Sequence, residues 1–252
     1  GLERVAVAES RICSIDGQAG ELIYQGYDIQ DLAANTTFEE VAYLLWLGEL
    51  PTQDQLSELD ARFVAERDVP DAVYALVKAL PKSTVIMDAL RTLVSLLASY
   101  DDEMEDNSAE ANFRKSIKLT AKIPTLLAAV HRAQRGLDPI RPQATGSIAA
   151  NFLYMLSGDE PDEFVAKTLD TALILHAEHG MNASTFSGRV TVATLADLYA
   201  GITSAIGTLK GPLHGGANAL VLEMLGAIGE PGKAAGFVAD VRAGTHPAGS
   251  WA

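Results

Sequence analysis

The sequence predicts a mainly α-helical fold with one small β-hairpin near its N-terminal end. Apolar and polar residues alternate over residues 11–27, a pattern typical of half-buried strands. Further along, apolar residues recur with helical spacing between prolines and glycines that interrupt helices. The 252 residues, 48% of them hydrophobic, are enough for a substantial core in one large domain or two small ones.

The predicted hairpin is centred on the dipeptide Asp16-Gly17, which favours a tight reversal of the chain. The segment RICSIDGQAGELIYQGY, from Arg11 to Tyr27, alternates on both sides of this dipeptide. We therefore expect two short antiparallel strands there.

The first clear helical pattern follows in TTFEEVAYLLWLG. Thr37 lies three residues before Glu40, the spacing of a capping box, and the apolar face stops at Gly48. Prolines that suit first turns or breaks separate most of the next segments. These segments are expected to begin near Thr52, Asp71, Thr84 and Ala109.

Pro124 lies inside the long helical segment KLTAKIPTLLAAVHRAQRG. Because proline lacks a backbone donor and clashes with the preceding turn, this segment is predicted to be kinked or to form two helices.

Three helical stretches are predicted in the last third of the chain, at 162–179, 191–210 and 213–228. The middle stretch contains small residues near helical spacing, which let a second helix approach closely. These are Ala196, Ala200, Gly201, Ala205 and Gly207. Internal helix packing and a homodimer interface both fit this pattern.

The formal net charge of -14, with a pI near 4.7, argues against partners that present phosphates. We expect no nucleic acid and no membrane partner. A small anionic ligand is still compatible with this net charge, because inside a cleft a few arginines or a helix N-terminus can outweigh the more distant negative charges.

Cys13 is the single cysteine, so one chain can form no internal disulfide and no thiolate metal cluster. The segment GLERVAVAESRICS lacks the apolar centre of a signal peptide, and no later apolar run could cross a bilayer uncharged. We expect a soluble protein of the reducing cytoplasm.

Two histidines in LILHAEHGMNASTF, His176 and His179, lie three residues apart. We expect both on one helix that ends at Gly180, so that both imidazoles can face the same side. For His176 taken alone, a packed core histidine is the favoured interpretation. His179 lies at the predicted helix end, where there is room for a ligand, and Asn182 can both donate and accept hydrogen bonds beside it.

The segment GTLKGPLHGGAN surrounds His214 with glycines and places Pro212 shortly before it. Helical spacing resumes in ALVLEML, so His214 is predicted near a helix N-terminus. The helix dipole there disfavours imidazolium, and a neutral ring can donate a hydrogen bond to an oxygen that gains negative charge. A turn histidine without such a task fits the same residues.

A metal site is not expected. His176 and His179 lack the four-residue spacing and adjacent glutamate of a zincin helix, and the acidic stretch from Asp101 lacks the pattern of a calcium loop. Phosphate-loop and serine-nucleophile motifs are also missing from the sequence.

Taken together, LHAEHGMNASTF and DLYAGITSAIGTLKGPLHGGAN resemble the citrate synthase family, which includes 2-methylcitrate synthases. The opening segment SIDGQAGELIYQGYDIQDLA resembles the family's N-terminal hairpin and first helix. The resemblance implies a multi-helical large domain over residues 1–242, with the hairpin at about 11–27 and a divergent tail at 243–252.

The resemblance also implies a homodimer that condenses acetyl-CoA with oxaloacetate and hydrolyses citryl-CoA to citrate and CoA. His214 matches the histidine that hydrogen-bonds the thioester oxygen, and its glycine neighbours would let substrate approach the backbone closely. His179 matches the oxaloacetate-binding histidine, with Asn182 as a supporting contact. His176 matches the first histidine of the motif, in a positioning or packing role. Acetyl-CoA is implied as a co-substrate, with no tightly bound cofactor.

Family members continue with a Gly-Phe-Gly-His-Arg segment, an aspartate base and further arginines, and this sequence passes instead from GFVADVRAG to THPAGSWA. We assign no role to His246 and expect the small domain to be absent, as in a fragment, an altered reading frame or a natural shortened protein. The chain alone is then expected to condense its substrates poorly. Two alternatives are a non-catalytic helical dimerisation or binding protein of this family and a 2-methylcitrate synthase that uses propionyl-CoA.

Overall fold

The computed structural model describes residues 8–245, apart from the side chains at positions 217–220 and 222. The chain divides into two compact units, the first ending at Thr208 and the second beginning at Leu209. His246 and the rest of the predicted tail beyond it lie outside the described residues.

The prediction of a mainly helical fold with a small N-terminal sheet is confirmed. Strands β1 (Cys13–Asp16), β2 (Glu21–Tyr24) and β3 (Tyr27–Asp28) form an antiparallel sheet in that order. They are followed by α1 (Ile29–Asn35), α2 (Phe38–Leu47), α3 (Gln53–Glu66), α4 (Asp71–Ala79), α5 (Ile86–Leu97), α6 (Ala109–Gln134), α7 (Ile148–Ser157), α8 (Glu163–His176), α9 (Ala183–Val192) and α10 (Leu198–Leu209). The second unit contains α11 (Gly216–Ile228) and α12 (Ala234–Ala243).

The predicted hairpin is present, and its reversal occupies residues 17–20. The Asp16 carboxylate accepts hydrogen bonds from the backbone of Gln18 and Ala19 at 2.9 and 3.0 Å, and Gly20 has a φ of 74°. The glycine that the turn requires is therefore Gly20, four residues after Asp16. These donated bonds also lower the pKa of the Asp16 carboxyl.

A third strand, β3, was not predicted. It pairs Tyr27 with Tyr24 across a two-residue turn in which both Gln25 and Gly26 have a positive φ, 50° and 91°. This is the backbone of the tight turns that match strand twist. The turn fixes the register in which Tyr24 enters the core.

Helix α2 begins and ends as predicted. Thr37 and Glu40 form both hydrogen bonds of a capping box, and Gly48 closes the helix in the left-handed conformation. Thr52 forms a second capping box with Gln55 at the start of α3.

Pro124 does not divide its segment, since α6 runs unbroken from Ala109 to Gln134. The missing N–H of Pro124 removes the usual helical donor for the Thr120 carbonyl. Leu126, Ala129 and Val130, in the turns that follow, are buried in the largest apolar cluster with α4 and α5. Burial of this face stabilises the helix across the proline.

Several helix boundaries differ from the predictions. The stretch predicted as one helix at 191–210 contains the last residues of α9, a turn and then α10. Leu195, in the turn, has a φ of 68°. Helix α10 then begins at Leu198, where Asp197 accepts a hydrogen bond from the backbone of Ala200 at 3.0 Å. Helices α7, α9 and α12 were not predicted as separate elements, although Ser147 and Gly158 cap α7 in the expected manner.

The small residues of α10 pack against α9. A Cβ added at Gly201 would lie 2.6 Å from the Val192 side chain, and Gly188 faces Gly201 in turn. Ser184 donates to the Ala205 carbonyl at 3.0 Å, and the hydroxyls of Ser187 and Ser204 lie 2.6 Å apart. Gly201 and Ala205 thus serve internal packing, and the homodimer interface stays a prediction.

No helix in the described part of the chain is long and apolar enough to cross a membrane.

The α9–α10 contact predicts that Gly201→Ala lowers the free energy of unfolding by about 1–3 kcal/mol, because the new methyl group overpacks Val192. Urea denaturation measures the effect. Gly207→Ala, in the same helix, is the matched control, since the nearest atom to its Cβ would be Arg91 Cδ at 3.5 Å. The control is expected to match the wild type or to gain up to about 1 kcal/mol from helix propensity. Equal effects of the two substitutions would contradict the overpacking.

Candidate active site

The turn that contains the two predicted histidines begins where α8 ends. Tyr24, on β2, is fully buried, and its hydroxyl donates to the Glu178 carbonyl at 2.8 Å. The same hydroxyl accepts from the Glu178 N–H at 3.2 Å and lies 3.2 Å from the Ile174 carbonyl. A continuing helix would join Glu178 N–H to that carbonyl. Instead, the Ile174 carbonyl accepts from the Ala177 N–H at 3.2 Å and the tyrosine hydroxyl accepts from the Glu178 N–H, so the helix stops.

His176 and His179 therefore do not share a helix, and that prediction is wrong. Helix α8 ends at His176, with Ala177 as its C-cap, because the Tyr24 hydroxyl interrupts the next turn. His176 is exposed, and its Nδ1 lies 2.7 Å from the Ala172 carbonyl one turn earlier. Since a carbonyl only accepts, Nδ1 is the donor and bonds the imidazole to its own helix. The exposed ring contradicts the interpretation of His176 as a packed core histidine, and its positioning role stays a prediction.

His179 and Asn182 are brought together. Asn182 Nδ2 lies 3.2 Å from His179 Nδ1, and Asn182 Oδ1 accepts from the Thr185 backbone N–H at 3.0 Å. The Thr185 N–H can only donate, so it fixes which end of the amide is the oxygen and directs the NH₂ group to His179. A ring nitrogen that accepts a hydrogen bond has no proton of its own. The proton of a neutral His179 is then on Nε2.

Asn182 also begins α9. Its side chain is the N-cap of the helix, and its Nδ2 reaches the Thr185 hydroxyl at 3.0 Å. A capping asparagine satisfies one of the free N–H groups of the first turn. The residue therefore has a structural function in addition to its contact with His179.

The surroundings of the turn restrict its backbone. Gly180 has a φ of 83°, and its N–H donates to the Glu178 carboxylate at 2.5 Å. Cys13 lies close by on β1, where burial and then the negative charge of Glu178 raise the pKa of its thiol. The sheet thus borders the histidine turn on one side.

His214 lies in the second unit, two residues before the first residue of α11, as predicted. It is half-buried, and its backbone N–H donates to the Gly211 carbonyl at 3.0 Å. The next residue, Gly215, donates to the Leu209 carbonyl at 3.0 Å. A Cβ at Gly215 would overlap that carbonyl oxygen and lie 2.9 Å from Leu209 Cδ1. The geometry of the turn is therefore enough to exclude a side chain at Gly215, and close approach of a substrate is not needed to explain this glycine.

Tyr24, Glu178 and Thr185 shape the turn that contains His179 and Asn182, and the sequence analysis missed all three. The contact between Tyr24 and Glu178 spans 154 positions, so no local pattern could predict it. The cap formed by Asn182 had a local signal, because asparagine is among the preferred residues at a helix start.

The comparison with known families agrees with the predicted resemblance. The family model described as "Citrate synthase, C-terminal domain" matches residues 1–247 of this chain. The chain belongs to the citrate synthase family.

Curated relatives of the chain include both types of enzyme in this family. A citrate synthase of Haloferax volcanii is 52% identical over 229 residues, which cover 89% of this chain and 60% of the relative. A 2-methylcitrate synthase of Mycobacterium tuberculosis is 43% identical over 234 residues, which cover 93% of this chain and 59% of the relative. The chain thus spans about 60% of the length of these relatives.

Solved structures of the family share the fold. The crystal structure of citrate synthase from Pyrobaculum aerophilum has a TM-score of 0.89 at 39% identity, with 98% of this chain and 63% of that chain covered. Citrate synthase from the archaeon Thermoplasma acidophilum, solved as a ternary complex with carboxymethyl coenzyme A and oxaloacetate, has a TM-score of 0.86 at 28% identity. That comparison covers 96% of this chain and 64% of the other.

The double contact of Asn182 predicts that its two functions can be separated. Asn182→Ala removes the cap and the donor to His179, and it is expected to lower stability by about 1 kcal/mol. Asn182→Asp keeps the acceptor for Thr185 N–H but replaces the NH₂ donor with an acceptor, so stability is retained while the proton of His179 moves to Nδ1. Urea denaturation and ¹⁵N chemical shifts of the His179 ring measure the two effects. An unchanged His179 spectrum in the Asn182→Asp variant would contradict the hydrogen bond.

Proposed function

We propose that this chain provides two histidines to a citrate synthase-type condensation of acetyl-CoA with oxaloacetate. The observation that supports this most directly is the hydrogen bond from Asn182 to His179 Nδ1. Family membership and the oxaloacetate complex of the Thermoplasma acidophilum relative support the choice of substrate.

In this proposal His179 binds oxaloacetate. With Nδ1 engaged by Asn182, the exposed imidazole presents Nε2–H as a donor in a fixed tautomer. Oxaloacetate offers a ketone oxygen and carboxylate oxygens, all of which accept hydrogen bonds. A bond of this kind to a charged acceptor contributes about 1.5–3 kcal/mol.

His214 acts on acetyl-CoA. Removal of a methyl proton by an aspartate, which we assign to no residue of this chain, places negative charge on the thioester oxygen. His214 donates a hydrogen bond to that oxygen, and the enolate carbon then attacks the ketone carbon of oxaloacetate. Hydrolysis of the resulting citryl-CoA releases citrate and CoA. A donor aimed at such an oxygen contributes about 3–4 kcal/mol to the transition state.

The proposed role requires a neutral His214 close to the start of a helix. The N-terminus of α11, a helix of 13 residues, begins two residues later. A neutral imidazole keeps one ring N–H to donate, as does His179.

The acyl substrate is proposed to be acetyl-CoA, without a tightly bound cofactor. Relatives named citrate synthase and 2-methylcitrate synthase both match the chain, which keeps propionyl-CoA as the alternative. The two acyl groups differ by one methylene, worth about 1–3 kcal/mol of discrimination in an apolar pocket.

We also propose that the chain forms a homodimer in the cytoplasm. Phe186 and Val190 lie one turn apart on α9 with exposed side chains, and Leu195 follows at 81% exposure. Apolar side chains clustered in this way gain free energy when a second chain removes them from water. The single cysteine is compatible with a reducing compartment.

The role of His179 predicts measurable oxaloacetate binding that His179→Ala weakens by about 10- to 100-fold, the loss of one hydrogen bond to a charged acceptor. Isothermal titration calorimetry of the purified chain measures this. His131→Ala is the control, since His131 lies on α6 and contacts Arg135. Equal affinities of the wild type and His179→Ala would refute the role. Absence of binding in the wild type, together with a tight dimer in sedimentation, would favour the non-catalytic alternative.

The chain by itself is predicted to release CoA from acetyl-CoA and oxaloacetate poorly or not at all. The printed sequence contains no Gly-Phe-Gly-His-Arg segment, and the resemblance assigns no aspartate base to it. General acid–base groups typically contribute about 10²- to 10⁴-fold to the rate. A thiol assay on protein of confirmed mass tests this, and a turnover of about 1 s⁻¹ or more would show the expectation to be wrong.

A further inference from the structure

Tyr24 occupies a position that its aromatic ring alone does not explain. The ring is fully buried in an apolar cluster with Leu32, Val41, Leu44 and Ile174, which joins the sheet to α1, α2 and α8. A phenylalanine would fill the same space. The hydroxyl adds a polar group to this cluster, and such a group is costly to bury unless it is hydrogen-bonded.

The hydroxyl is fully used by the backbone at the end of α8. It donates to the Glu178 carbonyl at 2.8 Å and accepts from the Glu178 N–H at 3.2 Å. Both hydrogen bonds go to the residue immediately before His179. Burial raises the pKa of the Tyr24 hydroxyl, so that it stays protonated and able to donate at neutral pH.

The other side of His179 is fixed independently. Asn182 donates to the Gly180 carbonyl through its backbone N–H at 3.0 Å and caps α9 through its side chain. His179 therefore lies between one residue held by Tyr24 and another held by the start of α9. Its imidazole contacts Asn182, whose Nδ2 lies 3.2 Å from His179 Nδ1.

We infer that Tyr24 is a positioning residue for His179, acting through Glu178 from 154 positions away. The inference rests on the proposed function, in which His179 binds oxaloacetate. Without the hydroxyl, Glu178 N–H can bond to the Ile174 carbonyl, which extends α8 by at least one residue and turns His179 away from Asn182.

The test compares Tyr24→Phe with Tyr74→Phe. Tyr74 is also buried, and its hydroxyl bonds to Asp68 at 2.7 Å, so each variant loses its tyrosine hydroxyl and keeps its ring. Circular dichroism verifies that both variants fold. With ¹⁵N-histidine labelling of the five histidines, the ring nitrogen shifts of His179 report its bond to Asn182. Hydrogen exchange of the backbone at 177–180 reports the helix end, and calorimetry reports oxaloacetate affinity.

Tyr24→Phe is expected to shift the His179 ring nitrogens, to alter exchange at 177–180 and to weaken oxaloacetate binding about three- to tenfold. Tyr74→Phe is expected to leave all three unchanged while it loses a similar amount of stability. An unshifted His179 spectrum in Tyr24→Phe, or an equal shift in both variants, would overturn the inference. The spectra need no ligand, so a wild type that fails to bind oxaloacetate would refute the proposed function and leave this test intact.

Discussion

The hydrogen bonds between the Tyr24 hydroxyl and the backbone of Glu178 are the interaction on which the histidine turn depends. Tyr24 is fully buried and the two bonds are partly buried, and a hydrogen bond away from water is stronger than one in water, just as an unpaired polar group there is costlier. Their position depends on the register of a small sheet, in which Tyr24 pairs with Cys13 on one side and Tyr27 on the other. A shift of one residue would direct the hydroxyl to the opposite face. The N-terminal hairpin therefore supports the turn that contains His179 as well as covering part of the core.

The second support of the turn is the start of α9, and it depends on close helix packing. Gly188 and Gly201 let α9 and α10 approach closely, and hydrogen bonds from Ser184 and Ser187 join the two helices along the same contact. Small residues achieve this because they allow backbone atoms near one another. Asn182 is the N-cap of α9. Because α9 is packed closely against α10, Asn182 is held where its side chain contacts His179.

Sequence patterns predicted the features of this fold that local chemistry determines. The capping box of Thr37 and Glu40, the helix end at Gly48 and the helical start after His214 all depend on neighbouring residues, and all were found where expected. The end of α8 was placed too late, because it is determined by a tyrosine hydroxyl from a distant strand. Pro124 is the opposite case. A local signal predicted a kink or two helices, and α6 is a single unbroken helix because the turns after the proline are buried. The candidate site residues were found through a family motif, whereas the contact from Tyr24 that supports their turn spans 154 positions and has no local signal.

The glycine after His214 has a consequence for how the evolution of this family is interpreted. Gly215 has no room for a side chain because the turn brings it against the carbonyl of Leu209, a contact within the chain itself. Selection for folding alone would preserve it. A descendant that had lost every catalytic ability would still retain a glycine there for as long as it retained the turn. A glycine at this position therefore reports on the fold alone, and only its neighbour, His214, could report on the proposed chemistry.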